Sequence, residues 1–461
     1  IYAKPYDLGQ QLLVPLDINE VLPQNHLARF VAEVTATLDL DMMFKPPEKQ
    51  VGQRPYHPRM MFNILFYAYC IGLRSSRKIE ERIHLDLAFR YLAAGNFPDH
   101  VTIARFREEN LDKLKHLFVQ VLMMCKKLGL VKLGKIAIDG TKMKANASLS
   151  KTKNYKAIKK EYDELEKEVR KLLREARETD ETEDARYGKD KRGDELPKKL
   201  EDKKQRLEEL RLIKQEMEME AKLLAEKKAK EIKEREKEEK RTGKKKPGRK
   251  PKPKSETPDE KARHNFTDPD SRIMKDNATK AFVQGYNSQI VVDTDSQIVI
   301  LYDVTRDAND KHQAVPMSNE LVEIIKQLGM KPEEVIPLTR LLLDAGYFTE
   351  DDLKKLMDKG WNIYISPDSF SSCSKARAPQ MKGRIPKEMS FSDRMRRKTR
   401  TKRGKEIYKK RKIVEATFGE IKGARGIRGF LLRGLRKVKG EWTLINLTHN
   451  LLVMHRNGIK I

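Results

Sequence analysis

The chain has 461 residues, 38% of them apolar and 36% charged, with 97 Lys and Arg against 69 Asp and Glu and a net charge of +28. That length calls for about two to four domains. So large a charge excludes an ordinary neutral enzyme as the default and favours a polyanionic partner. The excess is local, with 24 basic residues against 5 acids in 371–440, and 8 basic residues with no acid in 241–254. Surfaces that meet phosphates carry charge in this way. The longest nearly unbroken apolar run, 60–73, has 14 residues and contains Asn63, so it reads as a buried helix and no membrane partner is expected. Cys70, Cys125 and Cys373 are far apart, which excludes a disulfide framework and a cysteine-rich zinc site. The opening residues carry no signal-peptide pattern, and a reducing, cytoplasmic setting is expected.

Residues 1–128 read as an all-α domain. Leu27, Phe30, Val31 and Val34 recur at helical spacing. A helix is expected from Ser75 or Ser76 through Arg90, stopped by Gly95. A turn, Asn96-Phe-Pro-Asp99, leads to a second helix near Val101 with Thr102, Arg105 and Arg107 close to its start. This order suits a DNA-binding helix-turn-helix, and it suits plain bundle packing equally well. Next, Lys135-Ile-Ala-Ile-Asp139 reads as a short buried strand ending in an acid.

The composition then changes. Ile158, Tyr162, Leu165, Val169, Leu172 and Ala176, and later Leu200, Leu207, Leu210, Met217, Ala221 and Leu224, keep heptad-like spacings amid Glu and Lys. They predict coiled-coil helices, split by the polar stretch 179–193 into two antiparallel arms. The basic, proline-rich stretch 244–254 follows and reads as a disordered linker drawn to polyanions, with a superficial likeness to a minor-groove hook.

Globular patterning resumes near residue 267. Strands are expected at 281–293 and 297–304, joined by the turn Asp293-Thr-Asp-Ser296, with further strands at 338–344 and 361–365. Helices are expected at 317–328 and 349–359. With 135–139 this makes a mixed five-stranded sheet with flanking helices, an α/β pattern.

Two acids, Asp139 and Asp344, end buried strands, where α/β sheets place their sites. Gly140 and Gly346 follow closely and permit a sharp exit. Acids also punctuate strand ends simply as turn formers. A helix read from 403 to 422 adds Tyr408, Arg411, Glu415 and Lys422 at spacings of 3, 4 and 7. At about 100° per residue all four share an arc of about 60°, and Glu420 falls away from it. Three carboxylates can hold two hard divalent cations, and two such ions can drive phosphodiester cleavage. Arg and Lys beside them would hold phosphates. His312 reads as a structural hydrogen-bonding residue of a polar loop, with assistance near a metal site as the alternative, and Asp293 and Asp295 read as turn acids. Trp442, Leu444, Leu447 and Leu451 read as helix core, and Gly423, Gly426 and Gly429 either as a place where backbone approaches DNA or as a flexible exit from the helix.

With these motifs the sequence resembles the transposases of bacterial insertion sequences that carry a DDE core and a YREK signature (Tyr, two residues, Arg, three residues, Glu, six residues, Lys). Tyr408, Arg411, Glu415 and Lys422 fit at every spacing. The resemblance extends over 22–30, 54–58, 98–106, 285–289, 309–312 and 440–450. It implies a ribonuclease H-like catalytic domain over 129–150 and 265–461, preceded by the helical DNA-binding domain 1–128 and interrupted by the coiled-coil insertion and linker 151–264. It implies two Mg²⁺ or Mn²⁺ ions on Asp139, Asp344 and Glu415. Arg411, Lys422 and Tyr408 would contact DNA near the scissile bond, and Arg105 and Arg107 would contact the terminal inverted repeats. The implied partners are double-stranded DNA, as element ends and target, and a second copy of the chain in a homodimer; the implied location is the nucleoid. The implied reaction is cleavage at element ends and transfer of the 3′-hydroxyl into target DNA. Two features depart from the pattern. The insertion lies between the first and second strands, and Cys373 stands where some relatives carry paired cysteines. Two rival readings remain: a catalytically retired DNA-binding descendant, and a coiled-coil scaffold using its basic tracts on RNA or acidic proteins.

Overall fold

The computed structural model describes residues 17–43, 55–187, 198–243, 252–276, 280–367 and 389–460. Cys373, most of the basic stretch 244–254 and part of the polar stretch 179–193 lie outside the described residues. The chain forms two compact units, one from residues 1–146 with 273–461 and the other from 147–272.

In chain order the strands are β1 (Lys135–Lys144), β2 (Thr152–Asn154), β3 (Arg263–Asn265), β4 (Arg272–Lys275), β5 (Phe282–Asp293), β6 (Val299–Thr305), β7 (Arg340–Leu343) and β8 (Asn362–Ile365). The main sheet runs β4-β5-β1-β7-β8, with β6 also on β5. Among the described residues it has six strands rather than the expected five, and the added one is the short β4, which carries no alternating apolar pattern to announce it. β1 and β6 pair antiparallel with β5, whereas β1, β7 and β8 are parallel. The sheet is therefore mixed. The β5–β6 turn is fixed by Asp293, which accepts from Asp295 N at 3.0 Å and from Lys132 N and Leu133 N at 2.9 Å. The parallel crossovers pass through helices Ala314–Gln327 and Glu350–Asp358, as parallel strands require.

Helices Leu27–Thr37, Pro58–Cys70, Ser76–Leu85, Leu87–Ala93, His100–Asn110 and Leu114–Lys127 precede β1. The single helix expected up to Arg90 is two. Asp86 takes extended backbone and its carboxylate caps the second through Ala88 N at 2.8 Å, and a capping bond of this kind restarts a helix. These helices share one apolar core with the sheet. At its centre lies helix Leu435–Arg456, whose Trp442, Leu444, Leu447 and Leu451 are fully buried. The buried Arg425 donates to Tyr69 O, Ile445 O and Thr448 Oγ1. The apolar stretch around Met61 forms the buried helix Pro58–Cys70, and no described helix is long and apolar enough to cross a membrane.

The second unit is led by helices Tyr155–Tyr187 and Lys198–Thr242. They run antiparallel, because Glu168 pairs with Lys203, Glu161 with Arg206 and Tyr155 with Glu218. Ile158, Leu210, Ile213 and Met217 form its apolar cluster. Past Met217 the seam fades, since the first helix begins at Tyr155 opposite Glu218. Leu224, expected in the seam, is 42% exposed.

Candidate active site

The parallel pairing of β1 with β7 places the first two acids side by side. Its register ends at Ile138 opposite Leu343, so the next residues, Asp139 and Asp344, emerge together at the carboxyl end of β7. The expected strand ending at Asp139 runs on to Lys144, because β5 continues to pair with it as far as Gly285. Asp139 therefore sits where the parallel partner stops, within its own strand. Asp344 opens the tight turn Ala345–Tyr347.

The stretch expected as one helix from 403 to 422 is four segments: α-helix Lys402–Lys409, a 3₁₀ turn Lys410–Lys412, α-helix Ile413–Gly419 and a π turn Glu420–Ala424. The 3₁₀ turn aims Arg411 at the acids. Its Nη1 lies 3.3 Å from Asp139 Oδ2 and 3.6 Å from Asp344 Oδ1, and its Nη2 lies 3.3 Å from Glu415 Oε1. One guanidinium thus gathers all three expected carboxylates. Among the described residues no group of three His, Cys, Asp or Glu side chains is arranged to hold a metal ion.

Tyr408 is buried, and its hydroxyl donates to Leu343 O at 3.1 Å and accepts from Ser366 N at 3.3 Å. The phenol ties the ends of β7 and β8 to the helix. Lys422 reaches β1 instead of the three acids, donating to Thr141 Oγ1 at 2.6 Å and Lys142 O at 2.8 Å. The π turn is the cause, since its wider winding displaces Lys422 from the uniform helical face. Glu420 points elsewhere and is bonded to His449 Nδ1 at 3.1 Å and to Arg456.

Charge and burial act strongly here. Desolvation pushes the Asp139 carboxyl up to about 7, helped by Asp344 and Asp310 and opposed by Arg411 and the Gly140 N–H. Burial would weaken the Arg411 charge, but Asp344 and Asp139 outweigh it and the guanidinium is held more firmly protonated. Burial lowers Lys422, partly offset by Asp276. Asp139 thus stands in a poorly solvated place where a nearby cation is strongly favoured, while Asp344 and Glu415 are more open to solvent.

Residues 16–109 match the family model described as a transposase domain (DUF772), and residues 241–451 match the model described as a transposase DDE domain. The chain belongs to the DDE transposases. The DDE match spans Asp344 and the Tyr408-to-Lys422 segment and begins after β1, so Asp139 is reached through the sheet register alone. No curated protein and no solved structure matches the chain.

In the helical part of the transposase the two expected arginines part ways. Arg105 is exposed on helix His100–Asn110. Arg107 is 8% exposed and donates to Tyr69 OH at 3.2 Å and Arg74 O at 2.8 Å, so it braces the interior. His312 is bonded to Asp352 at 2.6 Å. Gly429 lies against the Lys144 backbone, where a Cβ would come within 2.8 Å of the carbonyl oxygen, so this backbone approaches β1. Asn287, Gln289, Asp310 and Tyr347, to which the sequence assigns no role, form a polar group beside the acids, with Asp310 half-buried and the others buried. Their signal is Asn287 and Gln289 within a largely buried strand, since most buried polar side chains are hydrogen-bonded.

Proposed function

We propose that this transposase cleaves DNA at the ends of an insertion sequence by phosphodiester hydrolysis and joins the freed 3′-hydroxyl to target DNA by transesterification. Asp139, Asp344 and Glu415 would hold two Mg²⁺ or Mn²⁺ ions. The observation that carries the reading is the convergence of three carboxylates, two from adjacent strands and one from a helix, on a single cationic group. These oxygen donors fit hard divalent ions. Bound there, such ions activate a nucleophilic oxygen and stabilise the leaving oxygen of a phosphodiester.

The chain's own residues bind and orient. Arg411 supplies the positive charge the acids need in the DNA-free chain, and its planar fork is suited to a phosphate when that charge comes from elsewhere. Lys422 uses two N–H donors on β1 and has a third for a phosphate. Tyr408 holds the carbonyl just before Asp344 and so fixes that acid's exit from β7. Arg105, which is exposed, would contact the terminal inverted repeats, and two copies of the chain would act on the paired ends.

Strand cleavage of DNA bearing the element's own ends tests this, with Mg²⁺ or Mn²⁺ against EDTA. Wild type should nick at the ends only with metal, and Glu415→Gln should bind the DNA without nicking it. Nicking by the Glu415 variant would sink the site assignment. Tight binding without nicking by either protein would point to a catalytically retired DNA-binding descendant.

A further inference from the structure

Side chains alternate along a strand, so the two faces of β1 can be told apart. Asp139 and Thr141 face Arg411 and Lys422. Gly140 and Lys142 face the other way, where β5 sets Gln289 opposite Gly140 and Asn287 opposite Lys142. On that side Gln289 Nε2 donates to Asp310 Oδ1 at 2.8 Å and to Asn287 Oδ1 at 3.1 Å. Asn287 Nδ2 donates to the same Asp310 oxygen at 2.8 Å, and Lys142 Nζ lies 3.5 Å from it. Gln289 Oε1 accepts from the hydroxyl of Tyr347, which is fully buried at the end of the turn that Asp344 opens.

The Asp310 carboxylate only accepts, so the amide nitrogens of Gln289 and Asn287 face it and Gln289 Oε1 is left to accept from the Tyr347 hydroxyl. There is no slack at the strand. A Cβ at Gly140 would lie 2.2 Å from Gln289 Nε2 and 2.6 Å from Asp310 Oδ1. A Cβ at Gly346 would lie 3.6 Å from Asp310 Oδ2 and 4.0 Å from Asp344 Oδ2, so Asp310 flanks the Asp344 turn as well. One hydrogen-bonded chain thus joins the strand that bears Asp139 to the turn that bears Asp344.

We propose that Tyr347, Gln289 and Asp310 are positioning residues for the transposase reaction, a buried brace beneath the sheet that sets Asp344 against Asp139. The proposal rests on the function argued above. Its signature is cation geometry. Mg²⁺ demands near-ideal octahedral ligands, and partners that orient ligands are worth about 10- to 100-fold in metal affinity or activity. A loosened Asp344 should therefore harm Mg²⁺ use first, and Mn²⁺ should rescue it.

The test is Tyr347→Phe in the full chain, which removes one hydroxyl and opens no cavity. Mn²⁺ binding to the DNA-free protein is read by electron paramagnetic resonance, and nicking is measured in Mg²⁺ and in Mn²⁺. Mn²⁺ affinity should fall about tenfold, and the Mg²⁺-to-Mn²⁺ activity ratio should fall about tenfold as well. Asp310→Asn, which keeps an acceptor and loses the charge, should move both readouts in the same direction and serves if Tyr347→Phe melts early. Wild-type affinity and an unchanged ratio in a folded variant would overturn the brace, while loss of nicking in Glu415→Gln would leave the underlying reading standing. Absence of Mn²⁺ binding by wild type would overturn both.

Discussion

The two ends of the segment from Arg411 to Ala424 carry the same kinds of side chain and put them to opposite uses. At the first end Glu415 is 55% exposed and shares Arg411 with Asp139 and Asp344. Five residues on, Glu420 is 13% exposed and is locked to His449 and Arg456 on the long helix Leu435–Arg456. The first acid is open to solvent and shares one cation with two other carboxylates; the second is largely enclosed and has two partners of its own. A carboxylate serves chemistry when its counter-charge can be exchanged, and serves structure when it cannot.

The largest expected effect sharpens this contrast. Glu415→Gln should lower the nicking rate by at least about 10³-fold with DNA affinity within about threefold, because it removes a charge felt at the reacting atoms. Glu420→Gln should lower the rate by less than about tenfold at a temperature where it is folded. Equal losses in the two variants, measured side by side on the same DNA, would break the comparison.

Arg411→Gln probes exchangeability directly. Taking the guanidinium from among three carboxylates leaves them without a counter-charge, so Mn²⁺ should bind the DNA-free chain about tenfold more tightly. Nicking should fall, since the fork for a phosphate is lost. Calorimetric titration would show the gain; weaker Mn²⁺ binding in the variant would mean that Arg411 organises the acids and does not compete for them.

Glu420 should instead reveal itself in stability. Its burial would raise the carboxyl, but His449 and Arg456 overcome that and hold it at about 2. A depressed carboxylate stabilises the fold above its unfolded value and loses that contribution as pH falls through the folded one. Glu420→Gln should therefore cost about 2 kcal/mol at pH 7, allowing for the exposed Arg456 partner. The gap to wild type should narrow as pH drops below about 4.5, and denaturant melts at pH 7, 5 and 4 would measure it.

Much of this was legible in the sequence. The apolar run ending in Asp344 marks a strand end, the run ending in Asp139 marks where the parallel pairing stops although β1 runs on to Lys144, and the 3, 4, 7 spacing brings Arg411 and Glu415 together. The spacing misplaced Lys422, because a helical wheel assumes one rotation per residue, whereas a 3₁₀ turn winds tighter and a π turn wider. Those turns lie against β1, a partner that local propensity does not encode. The helix break at Asp86 was hidden for a related reason, since a carboxylate that caps reads in sequence as one more polar surface residue. The brace around Gln289 was written as polar residues in a buried strand, but its partners lie 21 and 58 residues away.

The smallest expected effect extends the contrast to a pair of arginines in the helical part. Arg105 and Arg107 are two residues apart on helix His100–Asn110, and each fits a DNA contact by residue type. Burial separates them, for Arg107 spends its donors on Tyr69 and Arg74 O while Arg105 stays exposed. Arg107→Ala should cost about 1 to 3 kcal/mol of stability, because a backbone carbonyl and a buried hydroxyl lose their partner. Its effect on DNA affinity, measured below its melting transition, should be slight. Arg105→Ala should leave the melting curve in place and weaken binding to the element ends only about two- to fivefold, with a shallower salt dependence by about one ion, as expected for the loss of one phosphate contact. If the salt slope moves with Arg107 and not with Arg105, then the buried arginine must swing out on DNA, and exposure in the DNA-free chain is the wrong guide to which residue meets the phosphates.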